Sequence, residues 1–227
     1  AKKAEIQRKK EAARKAREAA RKKKQEEKEK RWAELDKRDE LKAKAKEYSM
    51  GVVVGLPTIT DPNGKPHNSV VMIDRDGTIK GAAHKTHMFG GEEKMFDPGD
   101  AQSHRAFDPS FGRMGLLVCY DGEFPETARS LALDGAEIIC MCGANMFPFE
   151  DYHAVYMRAR AMENMVPTLY CNYVGHEKRF HYCGQSCAYD PTGKFLADLT
   201  NVMLKFVQIV CHNRFCLFLG YRQESKV

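Results

Sequence analysis

The pattern of hydrophobic and polar positions changes abruptly near residue 48. Residues 1–47 are dominated by Ala, Lys, Arg, Glu and Gln, contain no glycine or proline, and carry few large apolar side chains. These residue types favour helix, so the segment predicts a charged and mostly solvated helical arm. Residues 48–200 instead alternate short apolar runs with turn signals, which is typical of a folded domain. Residues 201–227 form a divergent apolar tail.

Five apolar runs in the central region predict buried strands, and two longer periodic segments predict helices. The predicted strands are residues 52–56, 69–73, 116–118, 136–141 and 168–172, and the predicted helices are residues 124–133 and 153–164. Pro125 lies near the start of the first predicted helix, where a proline is tolerated. Because strands and helices alternate, the sequence predicts an α/β fold in which helices cover the sheets.

The positive charge of the chain belongs to the arm. The formal net charge is +6, but residues 1–47 hold 20 Lys and Arg against 11 Asp and Glu, which leaves 17 against 20 for the rest. Basic clusters such as residues 21–24 could contact phosphates, so a nucleic-acid-binding arm is one interpretation. The glutamates interleaved with the lysines favour the other interpretation, a solvated helix without a nucleic-acid partner.

The eight cysteines lie mostly in apolar runs and lack the compact spacing of a secreted disulfide framework. We therefore interpret them as reduced thiols of a cytoplasmic protein. Cys140 and Cys142 are close in sequence, as are Cys183 and Cys187, but neither pair has the Cys-x-x-Cys spacing of a zinc site. The sequence thus predicts no metal site.

The sequence predicts no membrane partner either. No apolar leader segment opens the chain. The apolar run of residues 202–219 is long enough to raise the question of a membrane span, but Lys205, His212 and Arg214 interrupt it. Charges near the middle of a span are costly, so this run predicts buried or poorly folded strands.

Cys119 lies where an apolar run gives way to a helical pattern. It closes the run of residues 115–118 and precedes Tyr120, Asp121 and a Phe-Pro-Glu sequence. A thiol at the carboxyl end of a strand and close to a helix N-terminus has unpaired N–H groups and the positive end of a helix dipole nearby, and both favour the thiolate. The plain alternative is a buried and inert cysteine.

Three segments, taken in order along the chain, carry a family resemblance. The first runs from Gly81 through Lys85 to Asp100, the second from Gly115 through Cys119 to Glu126, and the third is Arg158-Ala-Arg160-Ala-Met-Glu163-Asn164. Together they resemble the carbon–nitrogen hydrolase (nitrilase-like) superfamily, of amidase or carbamoyl-amidase type, over residues 49–199. The resemblance implies a layered α-β-β-α sandwich, here incomplete at both ends and preceded by the charged helix, and it implies a homo-oligomer.

The resemblance also implies a set of catalytic residues. Cys119 matches the nucleophile, and Lys85 matches the lysine that stabilises the developing anion. Amides are poor electrophiles, so a thiolate needs a fixed cation or N–H donors where the oxyanion forms, and the backbone N–H of Tyr120 could join Lys85 there. A family glutamate that follows the lysine and orients the catalytic groups matches Glu92 or Glu93, and we favour Glu92.

Three further residues are candidates for contact with the substrate. Tyr120 and Glu123 belong to the segment that begins at the candidate nucleophile, and Asn145 follows the strand that is predicted to end near Cys142. A loop asparagine is more often a turn residue, so a purely structural interpretation of Asn145 stays open.

Other polar residues near these motifs are given structural roles. His84 and His87 flank Lys85, but two histidines supply at most two metal ligands, and we interpret both as structural. Arg160 and Glu163 are expected to form ion pairs or caps on their helix. The resemblance implies a packing or dimer-facing role for these two residues.

The chain departs from the family pattern on both sides of the matched region. The general-base glutamate of the family lies in a Pro-Glu context well upstream of the lysine, and none of the glutamates of the arm has that context, so no residue is assigned to this role. The residues after Leu199 do not match the closing strands of the family. General acid–base catalysis contributes a factor of about 10² to 10⁴, so the unassigned base matters for activity.

These observations lead to two hypotheses. The first is hydrolysis of the non-peptide C–N bond of a small linear amide or N-carbamoyl compound through a thioester at Cys119. The Tyr-Asp pair that follows this cysteine favours amides over nitriles within the family, and the resemblance implies no nucleotide, metal or flavin cofactor. The second is a catalytically inactive interaction protein that keeps the family core but lacks the general-base glutamate.

Overall fold

The structure is a computed structural model that describes residues 7, 10–23, 26, 38–61, 64–177, 180–199, 207–211 and 214–219. The chain divides into two compact units, residues 1–37 and 38–227. In the first unit residues 10–23 are helical and exposed, and an ion pair one turn apart joins Lys15 to Glu11 at 3.5 Å. These residues have the solvated helix that the sequence predicts.

The described residues of the second unit form three α-helices and twelve strands. The helices are α1 (Arg38–Glu47), α2 (Pro125–Leu133) and α3 (Tyr152–Asn164). The strands are β1 (Gly51–Thr58), β2 (His67–Ile73), β3 (Ile79–His84), β4 (Met114–Val118), β5 (Ile138–Gly143), β6 (Thr168–Asn172), β7 (Val174–Glu177), β8 (Phe180–Cys183), β9 (Ser186–Tyr189), β10 (Phe195–Leu199), β11 (Val207–Cys211) and β12 (Arg214–Leu219). Short 3₁₀ helices cover Glu92–Lys94, Ala101–His104 and Cys119–Glu123.

The strands form two five-stranded sheets and a hairpin. The first sheet has the order β11-β12-β1-β2-β3, in which β12 is parallel to β1 and the other pairs are antiparallel. The second sheet has the order β10-β9-β6-β5-β4, in which β4, β5 and β6 are parallel. The hairpin pairs β7 with β8. Within the described residues, β3 and β4 are thus edge strands of the two sheets.

Alternation along the strands of the first sheet sends side chains to two layers. In β2, Val70 and Met72 belong to the apolar core shared with the second sheet. Val71 and Ile73 pack instead with Ala45 of α1 on the outer face. A helix therefore covers the outer face of the first sheet.

The second sheet repeats this arrangement. Leu116 of β4 joins the core between the sheets, and Leu117 packs on the outer face with Leu131 of α2 and Met157 of α3. Each aliphatic side chain that is fully buried in this way contributes about 1.5–3 kcal/mol to folding. The layers follow the order helix, sheet, sheet, helix, so the predicted α-β-β-α sandwich is confirmed.

Helix α1 lies in the sandwich and not in the arm. Ala45 is buried, Leu41 packs against the same outer core, and the carbonyl of Ala45 accepts a hydrogen bond from the N–H of Met50 at 2.9 Å. The structural boundary falls between Lys37 and Arg38, whereas the hydrophobic pattern changes at residue 48. The difference arises because α1 is charged on its exposed side and buries few apolar side chains.

Sequence reasoning missed β3, the strand that precedes Lys85. This strand lacks a β-branched run, and Ala83 is its one buried residue. Antiparallel pairing with β2 holds it in the sheet, with Ala82 opposite Val71. Gly81 is required at its position because the ring of Phe107 occupies the space that a Cβ would need. Packing of the strand therefore depends on contacts that are distant in sequence.

The apolar tail contains β11 and β12, which extend the first sheet beyond β1. Strands were predicted for residues 202–219, and residues 207–211 and 214–219 form them; residues 202–206, 212 and 213 lie outside the described residues. β12 pairs with β1 in parallel, with Gly51 opposite Cys216 and Val54 opposite Leu219. In the parts of the chain that the structure describes, no helix has both the length and the apolar character needed to cross a membrane.

Candidate active site

Lys85 and Cys119 lie at the carboxyl ends of the two edge strands. Lys85 directly follows β3 of the first sheet, and Cys119 directly follows β4 of the second. Both residues line one cavity of about 560 Å³. The fold therefore brings together two side chains that come from different sheets.

The backbone of Cys119 adopts the left-handed conformation. Its φ angle is 49°, a value that residues other than glycine rarely adopt. Val118 before it is extended, and Cys119 begins the 3₁₀ helix Cys119–Glu123. The sharp turn from strand to helix is the one that the sequence predicts. Backbone strain of this kind persists only where the surrounding structure holds it.

The Cys119 sulfur interacts with a cation and with backbone N–H groups, but its burial is the larger effect. Burial raises the pKa of the Cys119 thiol above its ordinary value, while the Lys85 ammonium and the backbone N–H groups of Ala144 and Tyr120 lower it. The nearby carboxylate of Glu92 raises it further. The N–H groups do favour the thiolate, as the sequence suggests, yet desolvation outweighs them and the pKa of the thiol is raised.

Lys85 is a buried cation with a carboxylate partner. Its side chain is 1% exposed, and its ammonium donates a hydrogen bond to Oε2 of Glu92. The same oxygen accepts a hydrogen bond from the N–H of Phe89 at 3.0 Å, and Oε1 of Glu92 accepts one from Nδ2 of Asn68 at 3.3 Å. Buried charges are stable when they are paired in this way. Glu93, the other match to the family glutamate, is exposed.

Asp121 joins the segment that follows Cys119 to the segment that follows Lys85. Its carboxylate is almost fully buried. Oδ1 accepts hydrogen bonds from the backbone N–H of His87 at 2.9 Å, from Nδ1 of His87 at 2.8 Å and from Oγ1 of Thr86 at 2.8 Å. The backbone N–H of Thr86 lies 3.2 Å from Oδ2. No local sequence signal marks this contact, because the two segments are far apart in the chain.

Arg160 supports the turn that carries Cys119. Its buried guanidinium donates hydrogen bonds to the carbonyl oxygens of Gly122 at 3.1 Å and Glu123 at 2.8 Å. It also pairs with the carboxylate of Glu163 at 2.9 Å. Arg160 and Glu163 thus have the ion pair that the sequence predicts, and Arg160 in addition satisfies carbonyls at the end of the 3₁₀ helix.

Tyr120 and Glu123 place their side chains outside the lining of the cavity. The ring of Tyr120 packs edge-on against Phe89 and Phe124, with centroids 5.3 and 5.1 Å apart. The carboxylate of Glu123 lies 3.4 Å from Nε2 of His153. In this arrangement Tyr120 faces the Cys119 sulfur through its backbone N–H, and Glu123 contacts α3.

Asn145 also lies outside the cavity lining and is held by protein groups. Its backbone N–H donates a hydrogen bond to Oδ1 of Asn172 at 2.7 Å, and its Nδ2 donates one to the carbonyl of Phe149 at 2.6 Å. The side chain therefore stabilises the loop after β5. The structure thus gives Asn145 hydrogen bonds to protein groups, and its contact with a substrate stays a prediction.

Aromatic and sulfur-containing side chains form much of the remaining cavity wall. They are Phe89, Met95, Cys142, Met146, Cys171, Tyr173, Phe180 and Tyr182. In the described lining Lys85 and Glu92 are the charged residues, and they pair with each other. The wall residues come from strands and loops spread over the chain, so sequence reasoning missed them. A wall of this composition favours an uncharged ligand with an apolar group.

His84 and His87 make contacts with protein groups on either side of Lys85. Nδ1 of His84 lies 2.7 Å from Oγ of Ser69, and burial lowers the pKa of His84. His87 bonds to Asp121 and stacks on Phe124 with the ring centroids 3.8 Å apart. Among the residues described by the structure, no group of three or more His, Cys, Asp or Glu side chains is arranged to hold a metal ion.

Comparisons with known proteins agree on one family. The family model described as carbon-nitrogen hydrolase matches residues 13–208. The chain is 39% identical over 158 residues to the Pseudomonas protegens protein named "Hydrolase in pqqF 5'region", which covers 69% of this chain and 55% of the relative. It is 31% identical over 172 residues to the N-carbamoylputrescine amidase of Solanum lycopersicum, which covers 67% of this chain and 56% of that protein.

The chain is also similar to a solved structure. It is a variant of the amidase from Nesterenkonia sp. AN1 that shows the product of Michael addition of acrylamide at the active-site cysteine. The TM-score is 0.68 at 25% sequence identity, and the match covers 82% of this chain and 68% of that chain. The chain spans 55% and 56% of the length of the two curated relatives.

Proposed function

Because the chain belongs to the carbon–nitrogen hydrolase family, we propose that it hydrolyses the C–N bond of a small linear amide or N-carbamoyl compound through a thioester at Cys119. The sulfur of Cys119 and the buried ammonium of Lys85 line the same cavity, and this observation carries the proposal. A nucleophile and a fixed cation are two of the groups that acyl transfer from an amide requires, and a proton acceptor is the third.

The proposed reaction begins when the Cys119 thiol loses its proton and the sulfur attacks the carbonyl carbon. The new S–C bond displaces an electron pair onto the carbonyl oxygen, and the Lys85 ammonium and the Tyr120 backbone N–H stabilise this oxyanion. The C–N bond then breaks, and the amine leaves with the proton that the Cys119 thiol gave up. Water attacks the remaining thioester, which releases the acid and restores the thiol.

Glu92 acts in this scheme by holding Lys85. Its carboxylate accepts the hydrogen bond of the Lys85 ammonium and is itself fixed by the N–H of Phe89 and the amide of Asn68. The cation is thereby positioned before the substrate arrives, so no reorganisation is needed when negative charge develops.

The cavity wall supports an amide whose remaining group is uncharged. Its aromatic and thioether side chains favour apolar contact, and the two charged residues of the described lining neutralise each other. Among the substrate classes of the relatives, we therefore propose small neutral amides before N-carbamoyl amines that carry a free ammonium group.

A second candidate function follows from the lack of an unoccupied proton acceptor in the described cavity lining. Within the described lining Glu92 is the one carboxylate, and Lys85 already occupies it. No second carboxylate in this part of the chain is in place to take the proton of the Cys119 thiol. The second candidate is therefore an interaction protein that keeps the family core without cleaving amides.

Release of ammonia from butyramide and from an N-carbamoyl amine distinguishes the two candidates. We expect turnover by the unaltered chain, loss of turnover in Cys119→Ala, and retention in Cys183→Ala. Cys183 is a suitable control because it is half-buried and bonds to the carbonyl of Asn145 outside the cavity lining. Equal rates in the unaltered chain and Cys119→Ala would contradict the hydrolase and favour the interaction protein.

A further inference from the structure

We propose that Asp121 is a positioning residue that sets the contact between Lys85 and Cys119, an inference that rests on the proposed function of those two residues. The cation and the nucleophile follow edge strands of different sheets, so the pairing within either sheet does not fix the distance between them. Asp121 lies two residues after Cys119 and bonds to both residues that follow Lys85. It therefore connects the two loops directly.

The bonds to Asp121 are numerous and charge-assisted. Two backbone N–H groups, a hydroxyl and an imidazole nitrogen of Thr86 and His87 point at one buried carboxylate. Hydrogen bonds to an ionised acceptor are shorter and stronger than neutral ones, and breaking them inside a protein leaves donors unpaired. The loop after Lys85 is thus held at a fixed position relative to the carboxylate.

Asp121 is itself anchored to the helix that follows the nucleophile. Its carbonyl accepts a hydrogen bond from Oγ1 of Thr127 at 2.7 Å and lies 3.2 Å from the N–H of Phe124. The ring of His87 stacks on Phe124 at an interplanar angle of 12°. The acceptor and its partners are therefore connected by hydrogen bonds and ring stacking to the segment that follows Cys119.

The backbone of Lys85 is held on its other side by the first sheet and its loop. Its N–H donates a hydrogen bond to the carbonyl of Asn68, and its carbonyl accepts one from the N–H of Gly99, both at 2.8 Å. These contacts fix the backbone of Lys85 itself. Asp121 fixes the path of the two residues that follow it. Loss of the carboxylate releases Thr86 and His87, and the Lys85 ammonium then loses its position relative to the sulfur.

The sign of the effect on the thiol separates this role from a simple charge effect. Asp121 is acidic and lies two residues after Cys119 in sequence, so if it acted on the thiol through its charge alone, removing that charge would favour the thiolate and speed alkylation. Loss of the Lys85 ammonium from the sulfur disfavours the thiolate and slows alkylation, since the thiolate is the reactive form. Positioning therefore predicts a slower reaction.

The test is a double-mutant cycle that combines Asp121→Asn with Lys85→Met. The measured quantity is the rate at which iodoacetamide modifies Cys119 at pH 7, followed by mass spectrometry of the peptide that contains it. We expect Asp121→Asn to slow alkylation about tenfold when Lys85 is present. In the Lys85→Met background the same change is expected to alter the rate by less than about twofold, because the group through which Asp121 acts is gone.

Two further variants keep the test decisive. Thr86→Val removes one donor and keeps the size of the side chain, so it should slow alkylation in the same direction even if Asp121→Asn folds poorly. Asp74→Asn removes a buried carboxylate elsewhere in the sandwich and should leave the rate unchanged.

The inference is overturned if Asp121→Asn leaves the rate unchanged, speeds it, or slows it equally in both backgrounds. It is also overturned if Asp74→Asn slows alkylation to the same degree. Alkylation needs no amide turnover, so absence of amidase activity would end the proposed function while leaving this cycle interpretable.

Discussion

Two buried aspartates connect the same two sheets, and they do so at opposite ends of the sandwich. Asp121 follows the carboxyl end of β4 and accepts hydrogen bonds from Thr86 and His87 after β3. Asp74 follows β2, at the far end of the first sheet, and accepts hydrogen bonds from the N–H and the hydroxyl of Ser110 before β4, both at 2.8 Å. Both aspartates are 1% exposed.

The two ends differ in what the carboxylate holds. The partners of Asp121 adjoin Lys85, whereas the turn that contains Asp74 ends in the exposed residue Thr78. The same local device therefore adjoins the proposed catalytic residues at one end, and in our proposal it serves folding alone at the other. Changes at the cavity end should alter the thiol and the reaction, and changes at the Asp74 end should alter the free energy of unfolding.

The largest expected effect is at the cavity end, where Glu92 holds Lys85. Glu92→Gln removes the charge that pairs with the buried ammonium, and a small displacement of a positioned group costs much of its catalytic effect. We expect amide turnover to fall by about tenfold to hundredfold. Glu93→Gln is the matched control, because Glu93 is adjacent in sequence but exposed. Equal losses in the two variants would contradict the assignment of Glu92.

The next effect is at the Asp74 end. Asp74→Asn weakens the bonds to Ser110 and leaves polar groups poorly paired in a buried site, so the free energy of unfolding should fall by about 1–3 kcal/mol. Denaturant unfolding measures this loss. The rate of Cys119 alkylation should stay the same, and a slower rate would show that the two ends are not independent.

The pH dependence of unfolding identifies the cause of that loss. Burial alone would raise the pKa of Asp74, but the hydrogen bonds from Ser110 and Arg75 outweigh it and lower the pKa below the ordinary value. A carboxyl whose pKa is lowered in the folded state stabilises the fold above its ordinary pKa and loses that contribution as pH falls through the lower value. The difference between the unaltered chain and Asp74→Asn should therefore shrink below about pH 4. A constant difference down to pH 2 would contradict a charge-based cause.

A smaller effect comes from the backbone at each end. In the turn after Asp74 the residue with a left-handed backbone conformation is Gly77, with φ 84°. At the cavity end it is Cys119, with φ 49°. Cys119→Gly should therefore unfold with a free energy about 0.5–1 kcal/mol higher than Cys119→Ala, since glycine adopts this conformation without steric cost. Gly77→Ala should be destabilising, because a Cβ there would lie 2.7 Å from the carbonyl of Lys42. If the free energy of unfolding were the same for Cys119→Gly and Cys119→Ala, and unchanged by Gly77→Ala, backbone strain at these two positions would be contradicted.

Local pattern predicts the parts of this fold that depend on local physics. Residues 69–73 alternate between two apolar layers and could be identified as a strand, and the turn at Cys119 follows from an apolar run that meets a helical pattern. β3 could not be identified, because Gly81 and its neighbours are held by pairing with β2 and by Phe107. The energy that forms this strand comes from residues distant in sequence.

The features of the candidate site also fall into those that the sequence reveals and those that only the folded chain reveals. Cys119, Lys85 and Glu92 were found from motifs, and the structure brings all three to one cavity. The contact of Asp121 with the loop after Lys85 and the aromatic wall could not be found, since each depends on two segments that meet only in the folded chain. The direction in which the pKa of the Cys119 thiol shifts could not be predicted either, because the degree of desolvation is a property of the folded cavity.

The pH dependence of Cys119 alkylation, measured in the unaltered chain and in Lys85→Met, tests most directly whether the nucleophile and the cation act as a pair. The thiol of the unaltered chain should titrate above its ordinary value because it is buried. In Lys85→Met the titration should move to still higher pH, and alkylation at neutral pH should slow by about tenfold, because the ammonium that favours the thiolate is gone. Superimposable curves for the two proteins would contradict the pairing of Lys85 with Cys119.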